Sequence, residues 1–324
     1  MRRSIFLGTG SALPKARVTN ADLAARGVET SDDWITQRTG IKQRYIADDH
    51  ESTVTLATDA ARKALEAAKL APSDIHAVIV ATTTPDNTFP SVAVQVQSAL
   101  GIPACTAFDV QAVCTGFVYA MTVADLFITS GKAKNVLVIG AEVMSRLLDW
   151  EDRTTCVLFG DGAGAAILGA AEGQGTKADR GILSTHTYGD GQYKELLYTK
   201  GGPGTTGKAG FIHMEGREVF KNAVTLMHDI VAEVLETNGL APSEIDWLVP
   251  HQANIRIIQG TADKLAMSMD KVVVTVDQHG NTSAASIPLA LDWAVREGKI
   301  KAGDMLLFEA LGGGLTWGAV CARF

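Results

Sequence analysis

Leu70-Ala71-Pro72-Ser73-Asp74-Ile75 returns almost letter for letter as Leu240-Ala241-Pro242-Ser243-Glu244-Ile245, a shift of 240 − 70 = 170 residues. Each copy runs into a short apolar stretch, Val78-Ile79-Val80 in the first case and Trp247-Leu248-Val249 in the second. A second pair agrees. Gly131-Lys132-Ala133-Lys134 before Val136-Leu137-Val138-Ile139 returns as Gly298-Lys299-Ile300-Lys301 before Met305-Leu306-Leu307-Phe308, a shift of 298 − 131 = 167. Two independent echoes at nearly one offset are the mark of an internal duplication. They predict one unit built twice, with halves at 1–172 and 173–324 and a seam in the polar, glycine-rich Ala171-Glu172-Gly173-Gln174-Gly175-Thr176-Lys177.

The composition fits two such halves. The chain has 324 residues, 46% of them hydrophobic, 20% charged and 32 of them glycine, which is the composition of a well-buried globular protein. The formal charge of −7 argues against nucleic acid, whose phosphates need a basic face. Cys105, Cys114, Cys156 and Cys321 are too irregularly spaced for a disulfide framework or a zinc pattern, which predicts a reduced, cytoplasmic setting. Cys105, Cys156 and Cys321 read as small buried hydrophobes in or beside apolar strands. Met1-Arg2-Arg3-Ser4-Ile5-Phe6-Leu7-Gly8 is interrupted by Gly8-Thr9-Gly10 before a signal-peptide core can form, and it reads as a first strand. No apolar run approaches the roughly 20 residues that cross a bilayer. Phe117 to Ile128 is apolar almost all round and is expected to be a helix buried in protein.

Helices are expected at 55–69, 115–130, 218–238, 254–268 and 285–297. Strands are expected at 77–82, 135–140, 164–168, 247–249, 272–276 and 305–309. This alternation is α/β, with buried sheets. Lys200 to Gly210 reads as a surface loop or lid.

Three residues stand at element ends, where functional side chains of α/β proteins gather. Subtracting 17 from Gly131 and Gly298 gives Cys114 and Asn281, so the 167 offset places a thiol and a carboxamide at matching helix starts. His251 lies six residues beyond Ile245, and its counterpart beyond Ile75 is Ala81. A thiol at a helix N-terminus is expected to be held toward thiolate by the dipole and the free N–H groups, which also suit an oxyanion. Singly, each residue has an ordinary reading: a buried cysteine, a capping histidine, a turn asparagine. Together they are a nucleophile faced by two hydrogen-bond donors, suited to a thioester whose carbonyl oxygen becomes negative, and hence to carbon–carbon bond formation. Phe159-Gly160-Asp161-Gly162-Ala163-Gly164 and Leu311-Gly312-Gly313-Gly314 lack a phosphate loop's lysine and helix, and read as places of close backbone approach. Gly313 is positioned to offer a second oxyanion N–H.

With these residues in hand, the chain resembles the β-ketoacyl-acyl carrier protein synthase III family of the thiolase superfamily, the condensing enzymes that initiate type II fatty acid synthesis. The likeness covers the whole chain. It rests on Thr30-Ser31-Asp32-Asp33-Trp34-Ile35, Arg38-Thr39-Gly40-Ile41, the Cys114 segment, Phe159 to Ala165, Pro250-His251-Gln252-Ala253-Asn254, Gly280-Asn281-Thr282-Ser283-Ala284-Ala285-Ser286 and Gly312-Gly313-Gly314. The Cys-His-Asn triad selects this subgroup over thiolases and elongating synthases. The resemblance implies a five-layered αβαβα fold, a homodimer and ping-pong chemistry without metal or redox cofactor. Cys114 would take an acyl group from acyl-CoA. His251 and Asn281 would hold the thioester oxygen of malonyl-acyl carrier protein as carbon dioxide leaves, and the N–H groups of Cys114 and Gly313 would hold the tetrahedral oxyanion. It further implies Trp34, Arg38 and Arg153 at the adenine end of CoA, Gly216 and Asn254 along the pantetheine channel, Phe220 at its mouth, and Lys221 and Arg256 as the carrier-protein landing patch. Phe89, reaching across the dimer, and Leu311 would shape the acyl pocket, and Arg217 adds charge beside the channel. An aromatic at Phe89 points to a short primer such as acetyl-CoA.

Other readings keep the fold and change the chemistry. A specialised ketosynthase-like enzyme would pass the acyl group to another nucleophile without decarboxylation. A partner subunit would have lost the chemistry, which the intact triad opposes. A thioester hydrolase would admit water to the acyl-enzyme.

Overall fold

The computed structural model describes residues 1–324. The first half runs β1 (Arg2–Ala12), β2 (Ala16–Thr19), α1 (Asn20–Ala25), α2 (Asp32–Thr39), β3 (Gln43–Ile46), α3 (Thr53–Ala68), β4 (Ala77–Ala81), α4 (Val92–Leu100), β5 (Thr106–Val110), α5 (Gly116–Thr129), β6 (Asn135–Val143) and β7 (Asp161–Glu172). The second runs β8 (Gly181–Gly189), β9 (Leu197–Gly202), β10 (Lys208–Met214), α6 (Gly216–Asn238), β11 (Trp247–Pro250), α7 (Ile255–Lys264), α8 (Val276–His279), α9 (Ser286–Arg296), β12 (Met305–Gly312) and β13 (Thr316–Arg323). No helix is long and apolar enough to cross a membrane.

Two sheets carry the duplication. One has the order β1-β7-β6-β4-β5, and the other, read from its far edge, β8-β13-β12-β11. Their inner strands share a register: Val80 pairs with Ile139 and Pro250 with Glu309, both partners displaced by 170. Three apolar clusters separate five layers. α3 and α4 cover the outer face of the first sheet, with Leu56, Ala60, Val96 and Ile139 buried between them. α5 and α9 fill the space between the sheets, with Phe117, Met121, Ile287 and Phe308 among the buried residues. α6 packs on the outer face of the second sheet through Met227, Ile230 and Val234, facing Leu307. Each large apolar side chain so buried contributes about 1.5–3 kcal/mol. Close approach is bought with glycine: a Cβ on Gly8 would lie 2.5 Å from the Ala68 nitrogen of α3, and one on Gly164 would lie 2.5 Å from the Leu289 nitrogen of α9.

β7 ends at Glu172 and β8 begins at Gly181, with the polar, glycine-rich segment between them. The equivalence of Cys114 and Asn281 is corrected. A single 3₁₀ turn, Val113–Thr115, leads into α5, and its counterpart Ser283–Ala285 leads into α9. Both open on a residue in the left-handed region, Val113 at φ +50° and Ser283 at +49°. Since 283 − 113 = 170, Cys114 matches Ala284, and Asn281 matches Gln111. The 167 offset arises because α9 spans 11 residues where α5 spans 14, and the loop before β12 restores the difference.

Other expectations shift too. The strand expected at 272–276 reduces to one bridge, Leu248 with Val272, before α8 begins at Val276. Lys200 to Gly210 is a hairpin of β9 and β10 with its tip at 203–207. Cys156 is buried in a turn rather than a strand. α5 buries Ala124 and Ile128 in its second half as well as Phe117 and Met121 in its first, but not all round, since Leu126 near its end is 61% exposed.

Candidate active site

Cys114 is held by backbone contacts from the second half. A Cβ on Gly312, at the end of β12, would lie 2.8 Å from both the Cys114 nitrogen and the Ala112 carbonyl, so only glycine lets β12 come this close. Thr316 Oγ donates to the Ala112 carbonyl at 3.0 Å, and Thr115 Oγ donates to the Thr316 carbonyl at 3.0 Å. Thr115 is thereby turned away from the cavity and is fully buried. Gly313 follows directly on the point of contact.

His251 projects just past β11, its N–H bonded to the Glu309 carbonyl at 2.8 Å. Its Nδ1 lies 2.6 Å from Ser286 Oγ, which also accepts the Gln252 N–H at 3.3 Å. The serine keeps its own proton to give, and giving it to Nδ1 puts the ring proton on Nε2. Asn281 is fixed as tightly. Its Oδ1 accepts from the Ser283 N–H at 2.9 Å, and its backbone bonds both Leu158 and Gly160. With the carboxamide oxygen occupied, the NH2 is the group left to donate.

These three side chains line one cavity of about 580 Å³. Trp34, Arg38, Gly216, Arg217, Phe220, Asn254, Arg256 and Leu311 line it as well. Ser31 caps α2 by accepting from the Trp34 N–H, and Arg38, one turn on, lies 4.4 Å from the Trp34 ring centre. Arg153 lies 5.2 Å from the same ring. Asn254 caps α7 through Oδ1, which takes the Arg256 and Ile257 N–H groups and leaves its NH2 toward the channel. Arg256 is exposed and donates to the Gln37 carbonyl at 3.2 Å. Lys221 is exposed on α6. A second cavity, of about 760 Å³, lies beyond the nucleophile and includes Thr83, Thr88, Val113, Arg146 and Ile212. Cys114, Phe159 and Leu197 line both cavities and form the waist between them. Leu311 stands on the channel side of that waist. Phe89, next to Thr88, is 84% exposed.

The resting protonation states differ from expectation. Burial pushes the Cys114 thiol up to about 12, opposed by the Ser283 hydroxyl and reinforced by the Glu142 charge. Desolvation outweighs the helix N-terminus, so the resting nucleophile is a thiol rather than a thiolate. Burial likewise lowers His251 to about 3, so the ring is neutral and its N–H serves as a donor. Glu309, lining the channel beside His251 with Oε2 unpartnered, is raised to about 8 by burial. Sequence reading missed it, although a glutamate inside the apolar run of β12 was a visible signal. Ser286 and Ser283 lay inside a recognised motif without a role.

Glu309 carries a prediction. Its folded pKa lies above the ordinary 4.5, so the folded state holds the extra proton, and stability falls as pH rises between 4.5 and about 8. Glu309→Gln, neutral throughout, is expected to gain on the parent by about 1 kcal/mol per pH unit across that window. Urea unfolding at pH 5 and pH 8 checks this, and a pH-independent difference would refute it.

The chain matches known proteins along its whole length. Residues 108–191 match the family model described as 3-oxoacyl-[acyl-carrier-protein (ACP)] synthase III, and residues 235–324 match the model of its C-terminal part. The chain is 62% identical to the β-ketoacyl-[acyl-carrier-protein] synthase III of Allorhizobium ampelinum and 60% identical to that of Rhizorhabdus wittichii, in each case over 100% of both chains. The crystal structure of the 3-oxoacyl-[acyl-carrier-protein] synthase III of Aquifex aeolicus superposes with a TM-score of 0.93 at 50% identity, covering 99% of this chain and 100% of that one. A thiol at the waist of a two-chambered cavity, faced by two fixed donors on a duplicated αβαβα frame, and relatives matched end to end, together place the chain in the β-ketoacyl-[acyl-carrier-protein] synthase III family, the condensing enzymes that initiate fatty acid synthesis.

Proposed function

We propose that this protein joins a short acyl group, acetyl in the first instance, from acyl-CoA to malonyl-acyl carrier protein through an acyl-Cys114 intermediate. The observation that carries this reading is the position of Cys114 at the waist, open to a channel on one side and a chamber on the other. The channel admits the pantetheine arm, and the chamber takes the acyl chain. Cys114 Sγ attacks the thioester carbonyl, and the proton it loses is the one the departing CoA sulfur needs. Malonyl-acyl carrier protein then fills the same channel. The His251 N–H and the Asn281 NH2 stabilise its thioester oxygen as carbon dioxide leaves and the enolate forms. The enolate carbon attacks the acyl carbon, with the oxyanion on the N–H groups of Cys114 and Gly313; as the tetrahedral intermediate collapses the acyl C–S bond breaks, its electron pair goes to Sγ, and a proton from water restores the thiol.

Recognition follows from the channel wall. Trp34 offers a face for adenine, and Arg38 and Arg153, both stacked on it, offer charge to phosphate. Gly216, Asn254 and Phe220 guide the pantetheine. A second copy of the chain is the fitting partner for β5, an edge strand with one side unpaired, and for the exposed Leu126 and Phe89. In such a homodimer Phe89 walls the partner's chamber and Leu311 narrows the channel side. A cytoplasmic setting fits four free cysteines.

Lys221 and Arg256 form the landing patch for the acidic carrier protein. Arg256→Glu is expected to raise KM for malonyl-acyl carrier protein about tenfold and to affect acylation by acyl-CoA much less. Equal effects on both substrates would remove Arg256 from the patch. The reading as a whole is tested by intact-protein mass after mixing with a panel of acyl-CoAs and then malonyl-acyl carrier protein. An acyl adduct that the carrier converts to a β-ketoacyl product supports it, and an adduct the carrier leaves untouched overturns it.

A further inference from the structure

Each half of the molecule holds the site turn of the other. β12, in the second half, brings Gly312 onto the turn Val113–Thr115 that carries Cys114. The matching turn, Ser283–Ala285, meets β6 of the first half, where Glu142 stands in the place of Gly312, since 312 − 142 = 170. Gly140, on the same face of β6, lets the backbones touch: a Cβ there would run into the Ala284 carbonyl. Glu142 then reaches the turn with its side chain, and Ser283 Oγ donates to its Oε1 at 3.1 Å. A carboxyl group where the other half has glycine is a departure from the repeat, and it has no exposed surface. Its burial is offset by the Thr83 N–H at 3.1 and 3.2 Å, Thr83 Oγ at 3.0 and 3.1 Å, Thr84 Oγ at 2.7 Å and Thr82 Oγ at 3.3 Å. Three threonines at the end of β4 thus hold the carboxyl group rigidly in front of the turn. Ser283 has φ +49°, a conformation that a residue with a side chain keeps only where its surroundings fix it. Its own N–H donates to Asn281 Oδ1 at 2.9 Å, and that is the one hydrogen bond the Asn281 side chain makes to the protein.

We propose that Glu142 is a positioning residue for Asn281: by anchoring the Ser283 hydroxyl it fixes the turn whose N–H decides which way the Asn281 carboxamide faces, and so aims the Asn281 NH2 at the thioester oxygen. This inference rests on the reading of Asn281 as a donor in decarboxylation. A carboxamide has a donor end and an acceptor end of nearly equal size, and only the Ser283 N–H tells them apart here. With the anchor gone, the Ser283 backbone can leave the left-handed region and carry its N–H away. The carboxamide can then turn over and present its oxygen to an oxygen that is becoming negative, which opposes the enolate instead of stabilising it. The aim of a donor in the second half is in this way set by a carboxyl group in the first.

The test is a double-mutant cycle on the full-length protein, with carbon dioxide release from malonyl-acyl carrier protein measured beside mass gain from acetyl-CoA. Ser283→Ala keeps the N–H and loses the anchor, and it is expected to slow decarboxylation about tenfold while acylation falls much less. Glu142→Ala is expected to do the same. Glu142→Gln keeps a side-chain oxygen for Ser283 and is expected to recover the rate to within about threefold of the parent. In an Asn281→Ala background both alanine substitutions are expected to cost less than about twofold, because no carboxamide is left to aim; a merely structural role would cost the same in either background. A tenfold cost that persists beside Asn281→Ala, alanine variants within about twofold of the parent, or a Glu142→Gln as slow as Glu142→Ala would overturn the proposal. Should Glu142→Ala not fold, Ser283→Ala carries the cycle alone. A parent that forms no acyl adduct or releases no carbon dioxide would fell the condensing reading and this inference together, whereas a parent that does both while the cycle is additive loses only the positioning role.

Discussion

Cys114→Ala is expected to take up no acyl group from any acyl-CoA, and its condensation rate to fall by about 10⁴-fold or more. The reason is geometric. Cys105, Cys156 and Cys321 lie elsewhere, and Cys114 alone of the four lines the two chambers. Removing Sγ removes the atom on which the acyl group must wait while one carrier leaves and another enters, so no other group can substitute. The fold should hold, because alanine fills most of a small buried site and the backbone contacts of Gly312 and Thr316 do not involve the sulfur. Intact-protein mass with acetyl-CoA gives the answer. An adduct on the variant equal to that on the parent would show that the acyl group resides elsewhere, and the mechanism would fall.

His251→Ala separates the two half-reactions. Decarboxylation of malonyl-acyl carrier protein is expected to drop by about 10²–10³-fold, the usual cost of removing one donor from a developing oxyanion. Acylation is expected to fall by less than about tenfold, since the proton lost by Sγ is the one CoA requires and a neutral ring lowered to about 3 is a poor base. Asn281→Ala should behave likewise, because its NH2 is the companion donor. Release of carbon dioxide, measured beside single-turnover mass gain from acyl-CoA, distinguishes the steps. Acylation lost to the same degree as decarboxylation would make His251 the base for Cys114 instead.

Much of this site was legible before any coordinates. Cys114, His251 and Asn281 each stood at an element end within a recognisable local pattern, and all three line one cavity. The glycine clusters were read as close approach, and Gly164 and Gly312 are just that. The errors are equally instructive. The match of Cys114 with Asn281 rested on counting back from Gly131 and Gly298, and it failed because α9 is three residues shorter than α5, a difference that leaves the echoed segments intact. The segment 272–276 is apolar and branched, yet it makes a single bridge to Leu248, because the Gln252 side chain takes the backbone groups of Val273, Thr275 and Val276 that a strand would need.

Local signals decided the unit, its repetition, the alternation of strand and helix, and the chemical types at each strand end, because these depend on neighbours a few residues apart. The protonation of those groups depends on everything else. A helix start alone favours a thiolate at Cys114, and only the packing of two halves around it makes desolvation the larger effect. Glu142, Ser283, Ser286 and Glu309 acquire meaning in the same way. Ser283 and Glu142 are 141 residues apart in the chain yet 3.1 Å apart in space. No periodicity or motif reports such a distance, because it is fixed by how the second half docks on the first.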